Sequence, residues 1–134
     1  MVKGHCECNR ISYEADCEIL DFSHCHCSQC RRLHGAAFAT FASVATENFQ
    51  YLSGEEDIKE YDSSDDLKRV FCGNCGSNIL VSLENFPEIL YLSMGAINGN
   101  PTRPEAYHIF VGSKAPWHEI NDDSVQYDED PPEL

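Results

Sequence analysis

Residues 71–76, FCGNCG, carry two cysteines separated by two residues, with a glycine directly after each cysteine. A tight turn over this spacing brings the sulfurs of Cys72 and Cys75 together, and Gly76 can take the positive φ that such a turn needs. Backbone N–H groups of the turn can point at the thiolates and lower their pKa values. The stretch therefore has the form of a zinc knuckle, which supplies half of a four-thiolate zinc site.

The other half is predicted at the N-terminus, where residues 5–8 read HCEC. In an extended strand, residues two apart point to the same face, so Cys6 and Cys8 can present both sulfurs to one ion. A Zn–S bond of about 2.3 Å places the sulfurs of a tetrahedral site roughly 3.8 Å apart, which such a pair can reach. With Cys72 and Cys75, these thiols predict a closed structural site whose binding energy is largely folding energy.

A third group of cysteines lies in residues 24–30, HCHCSQC. The sulfurs of Cys25, Cys27 and Cys30 can converge on one ion if the chain leaves a strand and turns into a short helix at Ser28. Three protein ligands leave the fourth zinc position to water, substrate or another side chain, and open sites of this kind are the catalytic ones. We therefore predict two zinc sites, one closed by four cysteines and one with an open position.

The cysteine pattern leaves some alternatives open. His24, His26 or His34 could close the second site as a fourth ligand, which would make it structural. The middle cysteines could instead form a redox pair, or all the clustered cysteines could be buried thiols without a metal. Cys17 stands outside the clusters, and we expect a half-buried free thiol there, with a regulatory thiol as the alternative.

The composition limits the classes of protein and partner. The chain has 134 residues, enough for one domain, and its net charge of −14 disfavours nucleic acid and anionic membranes as partners. No apolar run approaches the ~20 residues of a membrane span, and the N-terminus lacks the apolar core of a signal peptide. Eight cysteines then fit metal sites better than the disulfides of a secreted protein. We expect a soluble, cytoplasmic protein.

Short segments between turn residues predict a mainly β fold. The expected strands cover residues 11–15, 37–44, 49–52, 58–61, 67–71, 79–83, 90–94 and 106–111. One short helical turn is expected from Ser28 to His34, and another at residues 117–119. We expect a single domain at residues 1–121, followed by a loosely held acidic tail at residues 122–134.

Several ordered motifs carry a family resemblance. They are Gly4-x-Cys6-x-Cys8, Cys25-His26-Cys27-Ser28-x-Cys30-Arg31, Gly35-Ala36-x-Phe38, Phe71-Cys72-x-x-Cys75-Gly76, and the run from His108 to Trp117. With these motifs the chain resembles the glutathione-dependent formaldehyde-activating enzyme family, to which we also relate the zinc domain of centromere protein V. Asn9 stands where many members have glycine, and the enzyme that named the family is longer.

The resemblance implies a tent-like β fold, similar to that of methionine sulfoxide reductase B. It also implies a structural zinc on Cys6, Cys8, Cys72 and Cys75, and a labile zinc, linked to activity, on Cys25, Cys27 and Cys30. The reaction it implies joins formaldehyde and glutathione into S-(hydroxymethyl)glutathione, and the reverse reaction is a carbon–sulfur lyase step.

Other residues near the second site are candidates for chemistry. His26 and His34 are close to it in sequence and could move a proton. Arg31 and Arg32 could pair with the carboxylates of glutathione, whereas His108 and His118 are expected to serve structure. The alternative function is a non-catalytic zinc-binding module that binds a small thiol or a protein partner.

Overall fold

The computed structural model describes residues 1–132 and confirms a mainly β chain. Over these residues the elements are β1 (Val2–His5), β2 (Ser12–Ala15), β3 (Asp21–Cys25), α1 (Ser28–His34), β4 (Ala39–Ala45), β5 (Phe49–Ser53), β6 (Ile58–Ser64), β7 (Leu67–Cys72), β8 (Asn78–Leu83), β9 (Phe86–Ser93), β10 (Tyr107–Ile109) and β11 (Val125–Gln126). Short 3-10 turns cover residues 46–48, 55–57, 94–96 and 111–113. In the described part of the chain, no helix is long and apolar enough to cross a bilayer.

The strands form two sheets. The larger sheet has the order β11-β10-β3-β4-β9-β8-β7-β6, and its pairs are antiparallel except for β10, which runs parallel to both β3 and β11. The smaller sheet has the antiparallel order β1-β2-β5. In β1 and β2 buried residues alternate with more exposed ones, as expected for strands with one face on a core.

The core is shared by the two sheets. Ile11 and Tyr13 of the smaller sheet region pack in one buried cluster with Val44, Ile79 and Leu92 of the larger sheet. Fully burying an aliphatic or aromatic side chain contributes about 1.5–3 kcal/mol, so these contacts hold the two sheets together. Cys6 and Cys72 belong to the same buried cluster. Its other buried members are Val2, Ala15, Ile19, Ala42, Val70, Leu80 and Ile97.

The single α-helix of the described residues starts and ends as the sequence predicts. Cys27 is its N-cap and accepts a hydrogen bond from the Cys30 amide, and Gly35 ends it with a left-handed φ of 58°. The second helical turn, expected at residues 117–119, is wrong. Residues 116–117 form a turn instead, closed by a hydrogen bond from the His118 amide to the Ala115 carbonyl.

Residues 122–132 of the acidic tail are also placed differently from the expectation of a loose arm, and residues 133–134 of that prediction lie outside the described residues. Val125–Gln126 adds to the larger sheet as β11. The Tyr127 amide donates to the His108 carbonyl, and the Val111 amide donates to the Tyr127 carbonyl. The tail is docked because these backbone groups find partners along β10 and the turn after it, a pairing with no signal in the tail's own composition.

Candidate metal centres

Four cysteines converge where the smaller sheet meets the end of β7. The sulfurs of Cys6, Cys8, Cys72 and Cys75 all lie within 4.8 Å of one another. The Cys6 and Cys8 sulfurs are 3.5 Å apart, and those of Cys8 and Cys72 are 3.8 Å apart. These separations suit a tetrahedral thiolate site, whose sulfurs are roughly 3.8 Å apart, so this four-cysteine group could hold one metal ion.

The two halves of the four-cysteine group are both turns. In the knuckle, the amides of Asn74 and Cys75 point at the Cys72 sulfur at 3.4 Å, and Gly76 has the positive φ of 82° that the sequence predicts. The other half is not the extended strand we expected. Cys6 follows β1, and the Asn9 amide closes a turn onto the Cys6 carbonyl.

Asn9 makes this N-terminal turn possible. Its φ is 67°, a left-handed conformation that asparagine tolerates better than most residues. The Ile11 amide then points at the Cys6 sulfur at 3.3 Å, and backbone donors therefore surround both halves of the group.

The pKa values differ within the four-cysteine group. Hydrogen bonds, first from the side chain of Ser77, lower the pKa of Cys75 to about 5. A hydrogen bond from the Asn74 side chain is the main cause that lowers the pKa of Cys8. Burial raises the pKa of Cys6 to about 11. Cys8 and Cys75 are therefore deprotonated before Cys6, and a bound cation would be needed to keep Cys6 as thiolate.

The second group, Cys25, Cys27 and Cys30, is built from one short stretch of chain. Cys25 ends β3, Cys27 caps α1 and Cys30 lies in its first turn, and their sulfurs all lie within 4.8 Å of one another. Cys25 and Cys30 are 6% and 3% exposed, whereas Cys27 is only half-buried. Among residues 1–132 no histidine or carboxylate joins these three sulfurs, so the geometry favours an open site over a site closed by histidine.

The donor set of this three-cysteine group fits a thiophilic metal. Hydrogen bonds with Cys25 and Cys30, the Cys30 amide and the charge of Arg69 hold the pKa of Cys27 far below its ordinary range. Its neighbours and burial raise the pKa of Cys25. Three converging sulfurs, at least one of them readily deprotonated, are the donors that zinc prefers.

The buried arginine beside this group is Arg69, on β7. Its side chain is 5% exposed, and both terminal nitrogens lie 3.6 Å from the Cys30 sulfur. Nothing local in β7 indicates this placement, because its partner Cys30 lies 39 residues away in sequence.

The two histidines predicted to move protons occupy different environments. His26 is fully buried, and its Nε2 lies 2.8 Å from Nδ1 of His108. Its ring packs on Phe38, and its Nδ1 has no hydrogen-bond partner among the described residues. Because side chains alternate along the extended chain, His26 points away from the face of Cys25 and Cys27. The structure therefore does not bring His26 to the three sulfurs.

His34, at the end of α1, is on the accessible side. Its ring contacts Phe41 edge-on at 5.8 Å, and Phe41 belongs to the same apolar cluster as Cys25 and Cys30. Burial, and to a smaller degree the charge of Arg69, lower the pKa of His34. The imidazole is therefore neutral at pH 7, and a neutral imidazole can accept a proton.

An open cavity of about 490 Å³ begins at His34. Its wall includes Ala36 and Ala39 near the three-cysteine group and Glu7 and Ser77 near the four-cysteine group. Polar side chains dominate the rest, namely His5, Thr40, Asn78, Ser93 and Asn98. The cavity is large enough for a small-molecule ligand. No cysteine is among its lining residues, but its wall includes residues next to both cysteine groups.

The arginines predicted to bind substrate are not on this wall. Arg31 is half-buried and Arg32 is exposed, and neither belongs to the cavity lining. Their pairing with glutathione carboxylates remains a prediction. Cys17 is half-buried and packs against the main core, in keeping with a free thiol that fills space.

A comparison with known protein families gives one match, over residues 1–113, to the glutathione-dependent formaldehyde-activating enzyme family. The matched residues include all seven clustered cysteines, His26, His34 and Arg69. The chain belongs to this family. The acidic tail of this formaldehyde-activating enzyme family member begins after the matched residues. The tent-like likeness to methionine sulfoxide reductase B remains a prediction.

Two relatives within reach of sequence comparison agree with this assignment. An uncharacterized lyase of Schizosaccharomyces pombe is 31% identical over 83 residues, which are 62% of this chain and 58% of the yeast protein. The chain thus spans a little over half the length of that relative. A Halomonas elongata protein that carries the name of the same family is 25% identical over 127 residues, or 90% of this chain and 81% of its own.

A solved structure supports the fold alone. The crystal structure of a Rhodobacter sphaeroides protein matches 93% of this chain and 98% of its own, with a TM-score of 0.62 and 21% sequence identity. The two proteins therefore share the arrangement of their sheets although their sequences are only weakly similar. Roles for individual residues of this formaldehyde-activating family member rest on its own geometry.

Proposed function

We propose that the protein is a zinc-dependent carbon–sulfur lyase of this family, acting on a thiol–aldehyde adduct such as S-(hydroxymethyl)glutathione. The observation that carries the proposal is the three-cysteine group, whose sulfurs converge without a fourth protein donor in the described residues. A closed site with four protein ligands is structural, whereas an open one leaves a position for substrate. We assign one zinc to each cysteine group.

The two cysteine groups would have different roles, one structural and one in the reaction. The four-cysteine group, with fully buried Cys6 and Cys72, holds the fold around its ion. The three-cysteine group holds the ion used in the reaction. Zinc bound there would supply a Lewis acid and stabilise a thiolate.

The reaction needs one bond and one proton transfer. In the synthetic direction the thiol sulfur bonds to the aldehyde carbon, and the thiol proton ends on the former carbonyl oxygen. We assign the proton transfer to His34, because its ring is neutral at pH 7 and lines the cavity beside the three-cysteine group. His26 is assigned to structure, since its ring is buried and bonded to His108.

The cavity that begins at His34 would hold the thiol and the aldehyde together. Holding both reactants in one site removes the entropy cost of their encounter. Asn78, Thr40 and Ser93 on its wall offer hydrogen bonds to an amide-containing thiol such as glutathione. Arg31 and Arg32 would contribute only from outside this wall. We propose a cytoplasmic setting, where thiols stay reduced.

The test measures both metal and turnover. Two zinc ions per chain are expected by elemental analysis, one of them removed quickly by a chelator. With Co²⁺ in place of zinc, added glutathione should change the visible spectrum of the fast-exchanging ion. Exchange NMR on labelled formaldehyde and glutathione should show adduct exchange faster than in the absence of protein, and Cys27→Ser should abolish that acceleration.

The other outcome would favour a different function. One tightly held ion, with no spectral response to glutathione and no acceleration of adduct exchange, would indicate a non-catalytic zinc module. The result for Cys17→Ser serves as the control, because Cys17 lies outside both groups and its removal should leave metal content and exchange unchanged.

A further inference from the structure

Arg69 carries a permanent charge at a position that excludes water. Its side chain is 5% exposed, and a guanidinium remains protonated in proteins. Among residues 1–132 the ion pairs are Arg10–Asp57, Lys68–Glu60 and His108–Asp122, none of which includes Arg69. A buried charge without compensation is costly, so the counter-charge must come from a different kind of group.

The contacts of Arg69 identify that group. Nε donates to the Ser63 hydroxyl at 3.1 Å, and one terminal nitrogen donates to the Gln29 amide oxygen at 3.5 Å. Both of these acceptors are neutral. The remaining acceptor is the Cys30 sulfur, which faces both terminal nitrogens at 3.6 Å. Of the three acceptors, only the sulfur can carry a negative charge.

We propose that Arg69 is a positioning residue for the three-cysteine metal centre, supplying the counter-charge of the Cys30 thiolate and aiming that sulfur at the ion. The inference rests on the metal site of the proposed function. Three thiolates and one divalent cation leave a net charge of −1, which the guanidinium neutralises inside a poorly hydrated cluster. Its two-pronged contact also fixes the direction of the sulfur.

The four-cysteine group provides the contrast. In the described residues its sulfurs accept hydrogen bonds from backbone amides and from neighbouring polar side chains, and no lysine or arginine donates to them. Arg69 is therefore specific to the group that has an open position. A direct role in substrate binding does not fit, because Arg69 is buried and is absent from the cavity wall.

The experiment compares Arg69→Met, Arg69→Lys and a matched control, Lys68→Met. Lys68 is the preceding residue on β7, but its side chain is 44% exposed and pairs with Glu60 at 3.6 Å. Each protein is titrated with Co²⁺ at one fixed pH against a competing chelator, and the sulfur-to-cobalt absorption band reports each site. Loss of an outer-shell partner typically lowers metal affinity ~10–100-fold, and we expect that loss for Arg69→Met at the weaker site alone.

The conservative variant separates charge from packing. Arg69→Lys keeps the positive charge, so its second-site affinity should lie between those of wild type and Arg69→Met, and Lys68→Met should match wild type. Equal Co²⁺ affinity in wild type and Arg69→Met would overturn the inference, as would a Lys variant as weak as Met. If Arg69→Met does not fold, the Lys variant and Arg69→Gln are compared instead, with the same two contradicting outcomes.

The same titration distinguishes the inference from the proposal on which it rests. A wild-type protein that takes up a single Co²⁺ would contradict the metal assignment itself. A wild-type protein that takes up two ions, together with an Arg69→Met variant that binds both equally well, would contradict the role of Arg69 alone.

Discussion

The two cysteine groups use the same donor atom but are assembled in opposite ways. The four-cysteine group joins parts of the chain that are far apart, since Cys8 and Cys72 are 64 residues apart in sequence. The three-cysteine group comes from residues 25–30 alone. An ion in the first group closes a long loop of chain, whereas an ion in the second only pins a strand end to the helix that follows it.

This difference indicates on which of the two proposed ions the fold would depend. Closing a long loop removes much of the entropy of the unfolded chain, and an ion bound only in the folded state adds its binding energy to folding. The three-cysteine group has no such loop to close. A distant part of the chain instead supplies a positive charge to this group, because Arg69 lies 39 residues from Cys30 in sequence. Under the proposed metal assignment, long-range chain connections would serve stability at the four-cysteine group and electrostatics at the three-cysteine group.

The largest effect is expected from Cys72→Ser. A structural zinc site contributes about 10–16 kcal/mol of apparent binding energy in small zinc domains, comparable to the roughly 5–15 kcal/mol total stability of a domain. The variant should therefore fail to show a cooperative melt by circular dichroism, and it should contain at most the weakly held ion. A cooperative melt near that of wild type would contradict the structural role of the four-cysteine group.

Cys27→Ser is the matched change in the other group. Cys27 caps α1 by accepting from the Cys30 amide at 3.3 Å, and serine is itself a favoured N-cap. The helix start should survive, so the variant should lose one metal ion and still show a cooperative melt, less stable only by the binding energy of the weaker ion. Unfolding as severe as that of Cys72→Ser would remove the distinction between the two groups.

An effect of intermediate size, on turnover, is expected when His34 and His26 are substituted one at a time. His34→Gln should slow adduct exchange about 10²-fold, the lower range for general acid–base catalysis, with both ions and the melting temperature retained. His26→Gln should instead lower the melting temperature, because the buried hydrogen bond to His108 is disturbed. Equal loss of turnover without loss of stability in both variants would contradict the assignment of His34.

The sequence could predict the cysteine groups because their chemistry depends on spacing. The knuckle at residues 71–76 contains its own turn and glycines, and residues 25–30 contain both the strand end and the helix start. The mainly β architecture followed from local alternation. The turn at Cys6 and Cys8 was missed because it depends on the left-handed conformation of Asn9. Asparagine tolerates this conformation but does not require it, so the residue type alone does not predict the turn.

The errors in predicting where His26, Arg69 and the tail lie have physical causes. His26 was predicted from its nearness in sequence to Cys25 and Cys27, yet the alternation of an extended chain directs neighbours to opposite faces. Arg69 and the tail were missed because their partners lie far away in sequence. No local pattern indicates that a guanidinium will be buried against Cys30, or that residues 125–126 will add to β10 as a parallel strand.

The smallest effect is expected from the tail, at Asp122→Ala. The Asp122 carboxylate accepts from Nε2 of His108 at 3.0 Å, and this hydrogen bond holds the pKa of Asp122 below its usual range. The pairing is therefore complete at neutral pH and is lost only as the pH falls through that lowered pKa. The variant should leave both metal ions in place but speed hydrogen exchange of the Tyr127 amide, which bonds to the His108 carbonyl.

Asp123→Ala is the control for this change, since it removes the same charge from the neighbouring exposed position. It should leave exchange at Tyr127 as in wild type. Faster exchange in both variants would mean that acidic charge, and not the His108 contact, governs docking of the tail. Unchanged exchange in both would mean that the backbone pairing of β11 with β10 holds the tail alone. Loss of the second ion in Asp122→Ala would instead show that the tail supports the three-cysteine group, which would narrow the contrast between the two metal centres.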